Sequence, residues 1–197
     1  MVTATFAGPP IPPRLLWTCD QFHNVCNTGV FEGRNIILVD GELLEMPAPN
    51  PPHNTALTLA DYLFKSIFQS GFIVRVQMGM ELGLTTDPVP DLIVVSGNPR
   101  TFASVQPRTA ELVVEVSDST LAYDRGDKAN LYAAGGIPDY WVIDLVHNQL
   151  IVFRDPRPDP GEPHGASYFQ QIVRARGDSI APLAALATPV NVNDLLP

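Results

Sequence analysis

The stretch ELVVEVSDSTLAYDRGDK, residues 111–128, joins a strand-like apolar run to the start of a helix. Leu112, Val113, Val114 and Val116 form the kind of run that fills a buried β-strand. Glu115 lies within that run, and a buried carboxylate is costly unless its charge is compensated. Glu115 is therefore expected to face a compensating group.

The polar segment that follows this strand predicts a helix of about four turns. Ser119 or Thr120 would cap its start, and the glycine pair at 135–136 would end it. At helical spacing, a broad and partly apolar face carries Leu121, Asp124, Arg125, Lys128, Leu131 and Tyr132. Because such a face packs against the sheet, Lys128 is expected to point inward, toward anions.

The remaining elements are predicted from periodicity and turn signals. A short helix begins at Thr18 and ends near Gly29, and a second helix covers about 53–70. A hairpin over 30–46 turns at Asp40–Gly41, and another turns around His147–Asn148. Further strands are predicted near 72–78, 79–84, 90–95 and 167–174, with a Pro-rich loop at 155–166. This order predicts an α/β or α+β fold with a mixed central sheet, as one domain over 14–197 behind a Pro-rich arm at 1–13.

Composition narrows the possible functions. The chain has 197 residues, 45% of them hydrophobic, and a net charge of −9, which argues against a broad basic surface for nucleic acid. No run is apolar enough to span a membrane, and no secretory signal is evident, so we expect a cytoplasmic location. Cys19, His23 and Cys26 lack an obvious fourth zinc ligand, and two small apolar residues beside a surface histidine are the favoured interpretation.

Two strands carry acids that could converge. Asp91 opens one buried strand directly after Pro90, and Glu115 lies near the end of another. Neighbouring carboxylates repel each other, and hard oxygen ligands suit Mg²⁺ or Mn²⁺. Each residue also has a structural interpretation: Asp91 as a turn acceptor, Glu115 paired with Arg125 or Lys128, and Lys128 paired with Asp124. The three together favour a metal site.

The motifs around these residues resemble a known family. "PD" at Asp91, 23 intervening residues, "EVS" at Glu115, "DRGDK" and "GGIPDYWVID" are similar to the Uma-type family of bacterial proteins in the PD-(D/E)XK nuclease superfamily. The similarity extends from DGELLEMP (40–47) through HNTALTLADYL (53–63) to YWVIDLVHNQLIVFR (140–154). It implies a restriction-endonuclease-like core and metal-dependent cleavage of DNA phosphodiesters.

The resemblance also implies roles for individual residues. Asp91 and Glu115 match the metal-binding acids, and Lys128 matches the catalytic lysine. Ser117 occupies the position where the superfamily usually has that lysine, so Lys128 would reach the same space from the helix.

Glu42 and His53 also match family positions. Glu42 is either an additional metal ligand or a solvent-facing strand acid, and His53 either contacts substrate phosphate or orients Glu42, or is a polar residue at a helix start. Gln77 and Ser117 are further supporting candidates, and Asp124 either orients Lys128 or caps the first turn of its helix.

Two other functions stay open from the sequence. A nucleic-acid or protein binding module would keep the fold with little catalysis, and a strip formed by Arg75, Arg100, Arg108 and Arg125 would count against it. A metal-dependent hydrolase of a smaller phosphate ester would use the same residues in a narrow pocket. A homodimer is reasonable for an enzyme that cuts both strands of a duplex.

Overall fold

The computed structural model describes residues 12–197. Its helices are α1 (Cys19–Cys26), α2 (Pro51–Ile67), α3 (Leu121–Arg125) and α4 (Asp127–Ala134). Its strands are β1 (Ile36–Val39), β2 (Glu42–Glu45), β3 (Phe72–Val76), β4 (Leu92–Ser96), β5 (Leu112–Ser117), β6 (Asp139–Asp144), β7 (Gln149–Pro158), β8 (Ala166–Ala175), β9 (Ser179–Ile180) and β10 (Val190–Asn191). Short 3₁₀ turns span Pro99–Phe102, Leu183–Ala185 and Val192–Leu195. Of the predicted arm at 1–13, positions 1–11 lie outside the described residues.

A mixed six-stranded sheet forms the centre, in the order β3-β4-β5-β6-β7-β8. Neighbouring strands are antiparallel except β5 and β6, which run parallel and are joined through α3 and α4. β1 and β2 form a separate hairpin, and β9 pairs with β10. The predicted fold class, a mixed central sheet flanked by helices, is confirmed.

The two faces of the sheet bury different helices, because side chains alternate along each strand. One face carries residues such as Val94 and Val114 against Ala60 and Phe64 of α2. The other carries residues such as Val113 and Val142 against Tyr132 of α4. Since odd positions of β5 face α4, Glu115 and Ser117 also point toward the helix that carries Lys128.

Several predicted elements differ from the structure. The long helix after β5 is broken at Gly126, where the backbone (φ −110°, ψ −98°) leaves the helical region and separates α3 from α4. Thr120 precedes α3 without capping it through its side chain. Residues 79–84 are not a strand: Met80 and Leu82 donate backbone hydrogen bonds to Pro88 and Thr86 across an irregular turn.

One strand is longer than predicted. β7 continues to Pro158, into the segment predicted to be a loop, because its antiparallel register with β8 runs on to the pair Pro158 and Ala166. The hairpin turn at Asp40–Gly41 is confirmed, as is the helix start at Thr18, where Thr18 and Gln21 form a capping box at the start of α1. Within residues 12–197, no helix has the length and apolar character needed to cross a bilayer.

Candidate active site

Strand register brings the two predicted acids together. β4 and β5 pair antiparallel with Leu92 opposite Val114, so the next position along the ladder sets Asp91 opposite Glu115. The backbone N–H of Asp91 donates to Glu115 Oε2 at 3.3 Å. Cross-strand neighbours of this kind have side chains on the same face. The carboxylates of Asp91 and Glu115 therefore converge where β4 begins.

Asp91 is held by three donors. His53 Nε2 lies 3.1 Å from its Oδ2, and the backbone N–H of Val116 donates to the same oxygen at 2.9 Å. Gln77 Nε2 lies 3.5 Å from Oδ1. Burial raises the pKa of Asp91. The hydrogen bond and charge of His53, together with the Val116 N–H, lower it by more than burial raises it, so the net pKa lies below its ordinary value. Asp91 is therefore a carboxylate at neutral pH.

Glu115 is more deeply buried and has a different protonation preference. Tyr132 donates its hydroxyl to Glu115 Oε1 at 2.7 Å, and Lys128 Nζ lies 2.8 Å from the same oxygen. Burial raises the pKa of Glu115, Lys128 opposes that rise, and Asp91 and Asp124 add to it, so that the pKa reaches about 8. Burial and the two neighbouring acids thus favour the protonated form of Glu115, against the ammonium group of Lys128.

Lys128 is buried among acids. Burial lowers its pKa, but Glu115 and Asp124 raise it more, and the net pKa lies above its ordinary value. Asp124 Oδ1 lies 3.4 Å from Lys128 Nζ. Lys128 is therefore an ammonium ion across the neutral range, fixed between two carboxyl groups.

Asp124 is fixed in turn by hydroxyl groups. Ser117 Oγ donates to Asp124 Oδ2 at 2.6 Å, and Thr120 Oγ1 donates to the same oxygen. Tyr140 donates its hydroxyl to the backbone carbonyl of Asp124 at 2.8 Å. Ser117, at the end of β5, thus supports Asp124, which in turn positions Lys128. The Ser117 hydroxyl makes no hydrogen bond to Asp91 or Glu115.

A pocket of about 440 Å³ opens onto these groups. Residues 46–50 form one wall and residues 118–120 another. Asn50 Nδ2 donates to Asp118 Oδ2 at 2.7 Å and so links the two walls. The Asn50 side chain also accepts a hydrogen bond from the backbone N–H of His53, which caps α2 and fixes the histidine at its first turn. Asp91, Glu115 and Lys128 all line the pocket.

The structure brings most of the predicted residues together and leaves one aside. Asp91, Glu115, Lys128, Asp124, His53 and Gln77 line the pocket, and Ser117 contacts Asp124. Glu42 does not reach it. At the start of β2 its side chain is 53% exposed and pairs with Arg14 Nη1 at 2.7 Å. The expectation of Glu42 as a further metal ligand is therefore corrected, because β2 turns that side chain toward solvent.

The four arginines that would count against a binding module lie outside the pocket. Arg75 stacks over the ring of Phe102 and donates to Gln106 Oε1. Arg100 and Arg108 follow β4 at the strand end opposite Asp91, whereas Arg125 ends α3.

Some site residues escaped the sequence analysis. Helical spacing places Tyr132 on the same inward face as Lys128, but it gives no sign of the hydrogen bond from Tyr132 to Glu115. Asn50 had a usable signal, since Asn before two prolines is typical of a helix start. Arg34 carried no local signal, because it lies in the irregular segment before β1.

The acidic side chains around the pocket include possible ligands for a divalent cation. Within residues 12–197, no group of three or more His, Cys, Asp and Glu side chains has an arrangement suited to a metal ion. Mg²⁺, however, is commonly bound by one or two carboxylates, with water and substrate phosphate completing its shell. The cluster has two buried acids, Glu115 and Asp124, and the partly buried Asp91, for one lysine and one histidine. The excess of acid and the facing pair Asp91 and Glu115 fit such an ion.

The cysteine and histidine motif of α1 forms a different contact. His23 Nε2 lies 2.6 Å from Asp87 Oδ2. Cys19 is buried, Cys26 is half-buried, and both are free thiols. Burial raises the pKa of both thiols, and the charge of Asp87 raises it further. Neither thiol is activated as a nucleophile or a metal ligand here.

Comparisons with known proteins agree with this architecture. The family model Uma2, described as "Putative restriction endonuclease", matches residues 19–187. The crystal structure of "a putative nuclease belonging to DUF820" from Anabaena variabilis ATCC 29413 is similar with a TM-score of 0.68 at 15% sequence identity. The similarity covers 91% of this chain and 97% of that chain, and at this identity it shows a shared fold. A comparison with curated proteins found no match.

Proposed function

Because this chain belongs to the Uma2 family and has the fold of a nuclease-like relative, we propose that it is a Mg²⁺- or Mn²⁺-dependent endonuclease acting on DNA phosphodiester bonds. The observation that supports this most directly is the pair of carboxylates, Asp91 and Glu115, facing each other across two strands with Lys128 beside them. Family and fold support a nuclease; the metal and the DNA substrate are part of the proposal.

Asp91 and Glu115 would hold the cation, with water and a phosphate oxygen as its other ligands. A divalent cation bound there would polarise the phosphate and lower the pKa of a bound water. Asp91 is a suitable permanent ligand because His53 and the Val116 N–H keep it ionised. Glu115 would release its proton on binding, since a carboxylate must be deprotonated to act as a ligand.

Lys128 would act as a fixed positive charge. Its pKa lies above the ordinary value, so it cannot accept a proton from water at neutral pH. An ammonium ion preorganised between Glu115 and Asp124 would stabilise the negative charge that develops on the phosphate oxygens. Asp124 and Ser117 would maintain its position.

A second candidate, hydrolysis of a smaller phosphate ester, is supported by how deeply the acids lie. The Asp91 side chain is 13% exposed and Glu115 is buried. The hydrogen bond from Asn50 to Asp118 joins the walls of the pocket. A continuous duplex needs an open groove, so these features favour a substrate that can enter a recess.

Metal binding and DNA nicking, measured on the same samples, test the proposal. Calorimetric titration with Mn²⁺ and a supercoiled-plasmid nicking assay would compare wild type with Glu115→Gln, Lys128→Met and the control Glu111→Gln. Glu111 precedes the same strand at its far end, where it accepts a hydrogen bond from Ser96, so it matches the substitution without touching the pocket.

We expect Glu115→Gln to lose Mn²⁺ binding and nicking, Lys128→Met to lose nicking by at least about 100-fold, and Glu111→Gln to behave as wild type. Wild type that binds Mn²⁺ and hydrolyses bis(p-nitrophenyl) phosphate but not plasmid would favour the smaller ester. Wild type that binds DNA without cleaving either substrate in Mn²⁺ would favour a binding module and contradict the proposed enzyme.

A further inference from the structure

Arg34 lines the same pocket as the carboxylate pair and is held by a single acid. Its Nε donates to Glu45 Oε1 at 3.0 Å and its Nη2 donates to Glu45 Oε2 at 2.6 Å. Arg34 precedes β1, and Glu45 ends β2 opposite Ile36. The ion pair therefore lies at the open end of the hairpin, beside the pocket and away from the buried cluster.

The charge of the pocket makes this arginine significant. Its described lining carries four acidic residues: Asp91, Glu115, Asp118 and Asp124. Its basic residues are Arg34, His53 and Lys128. His53 is engaged with Asp91, and Lys128 with Glu115 and Asp124. Among the lining residues described, Arg34 is the basic group that no buried acid engages.

The bond between Arg34 and its partner Glu45 is weak enough for another anion to displace Glu45. Both side chains are 51% exposed, so water and salt screen their attraction. Arginine binds carboxylate and phosphate through the same two-pronged geometry. A phosphate group that enters the pocket can therefore take the place of the Glu45 carboxylate once the exposed Glu45 side chain moves aside.

We propose that Arg34 binds a backbone phosphate of the nucleic-acid strand whose phosphodiester lies at Asp91 and Glu115, and that Glu45 competes with that phosphate. The inference rests on the proposed function, because it assigns the substrate contact of that same site. Glu45 acts through Arg34: it occupies the guanidinium when the pocket is empty and lowers the affinity for the strand.

This arrangement predicts changes of opposite sign from its two members. Arg34→Ala removes the phosphate contact and weakens binding, whereas Glu45→Gln removes the competing charge and strengthens it. A purely structural pair would give the same loss from either substitution. Arg157 and Asp155 supply a matched control, since they form a comparable exposed pair, 57% and 46% exposed, outside the pocket.

The test is steady-state cleavage of a fluorescein-labelled duplex oligonucleotide in Mn²⁺ over a series of NaCl concentrations. We expect Arg34→Ala to raise KM about tenfold and to reduce the slope of log KM against log salt by about one, as for one lost phosphate contact. Glu45→Gln should lower KM about threefold. Both should leave kcat unchanged, Arg34→Lys should restore part of the affinity, and Arg157→Ala should match wild type.

The outcomes separate this inference from the proposed function. Wild type that cleaves the duplex, with Arg34→Ala indistinguishable from it in KM and salt slope, would overturn the role of Arg34 and leave the nuclease intact. Equal rises in KM for Arg34→Ala and Glu45→Gln would overturn the competition. Wild type that neither binds nor cleaves the oligonucleotide at low salt would overturn both proposals.

Discussion

Replacing Glu115 with glutamine is expected to remove a specific pH dependence of stability. Glutamine has the shape of the protonated glutamic acid and keeps an oxygen for Tyr132 and Lys128, but it cannot ionise. Comparison of wild type with Glu115→Gln, both in EDTA, therefore isolates the titration of one buried carboxyl group. The pKa of that group rises from 4.5 to about 8 on folding, first because it is buried.

The sign and size of the effect follow from proton linkage. Between pH 4.5 and about 8, the folded protein keeps a proton on Glu115 that the unfolded chain has released. Raising the pH through this interval therefore favours unfolding, by about 1.4 kcal/mol per pH unit. The protonated Glu115 therefore makes its full contribution to the free energy of unfolding below pH 4.5, and that contribution is lost by about pH 8. Its upper bound is about 5 kcal/mol.

The assay is urea unfolding followed by tryptophan fluorescence, since Trp141 is buried in β6. We expect the free energy of unfolding of wild type, minus that of Glu115→Gln, to fall by about 2–3 kcal/mol between pH 5 and pH 7. The control variant Glu111→Gln should have the same free energy of unfolding as wild type at every pH. A difference between wild type and Glu115→Gln that stays constant with pH would refute the argument, because it would mean that Glu115 is ionised throughout.

Three further substitutions test the site. Lys128→Met leaves the buried Glu115 without its ammonium partner and should destabilise the protein by about 3–5 kcal/mol at pH 8, with a smaller loss at pH 5, both by urea unfolding. Glu42→Gln should leave the Mn²⁺ affinity unchanged in calorimetry, because Glu42 pairs with Arg14 outside the pocket; a weakened affinity would restore it as a ligand. Gln77→Gly should raise KM in the nicking assay, because it removes the amide that lies 3.5 Å from Asp91 Oδ1; an unchanged KM would show that this contact does not orient Asp91.

The parts of the fold that the sequence predicted correctly are those with a continuous local signal. The apolar runs at 92–95 and 112–116 are short and rich in β-branched residues, which favours buried strands, and both are strands in the structure. Asp91 directly before the first run and Glu115 within the second were the signals for a candidate site. The break at Gly126 lacked such a signal, because one glycine within a helical pattern is usually tolerated. In the structure Asp124 on α3 contacts Ser117, and Lys128 on α4 contacts Glu115, on either side of the break.

The orientation of Glu42 and the absence of a strand at 79–84 have different physical origins. In β2 neither face is fully buried, so alternation could not tell which way Glu42 points. The segment 79–84 alternates like a strand, but Pro88 and Pro90 remove donors from the segment that would have to pair with it. Arg34 and Glu45 meet only because the hairpin register sets Glu45 opposite Ile36, information that no single segment contains.

The chemistry proposed for the site opposes its stability. The folded protein is most stable when Glu115 is protonated, yet the same carboxyl group must lose that proton to bind a cation. A more stable chain needs only an uncharged side chain at position 115, as Glu115→Gln would supply. Tyr132, Lys128 and Asp124 instead surround an ionisable group. The Tyr132 hydroxyl would donate equally well to an uncharged oxygen, and the ion pair with Lys128 is the contact that gains from a charge on Glu115. The proposed cation would be a second such partner, and it would bind only the ionised form.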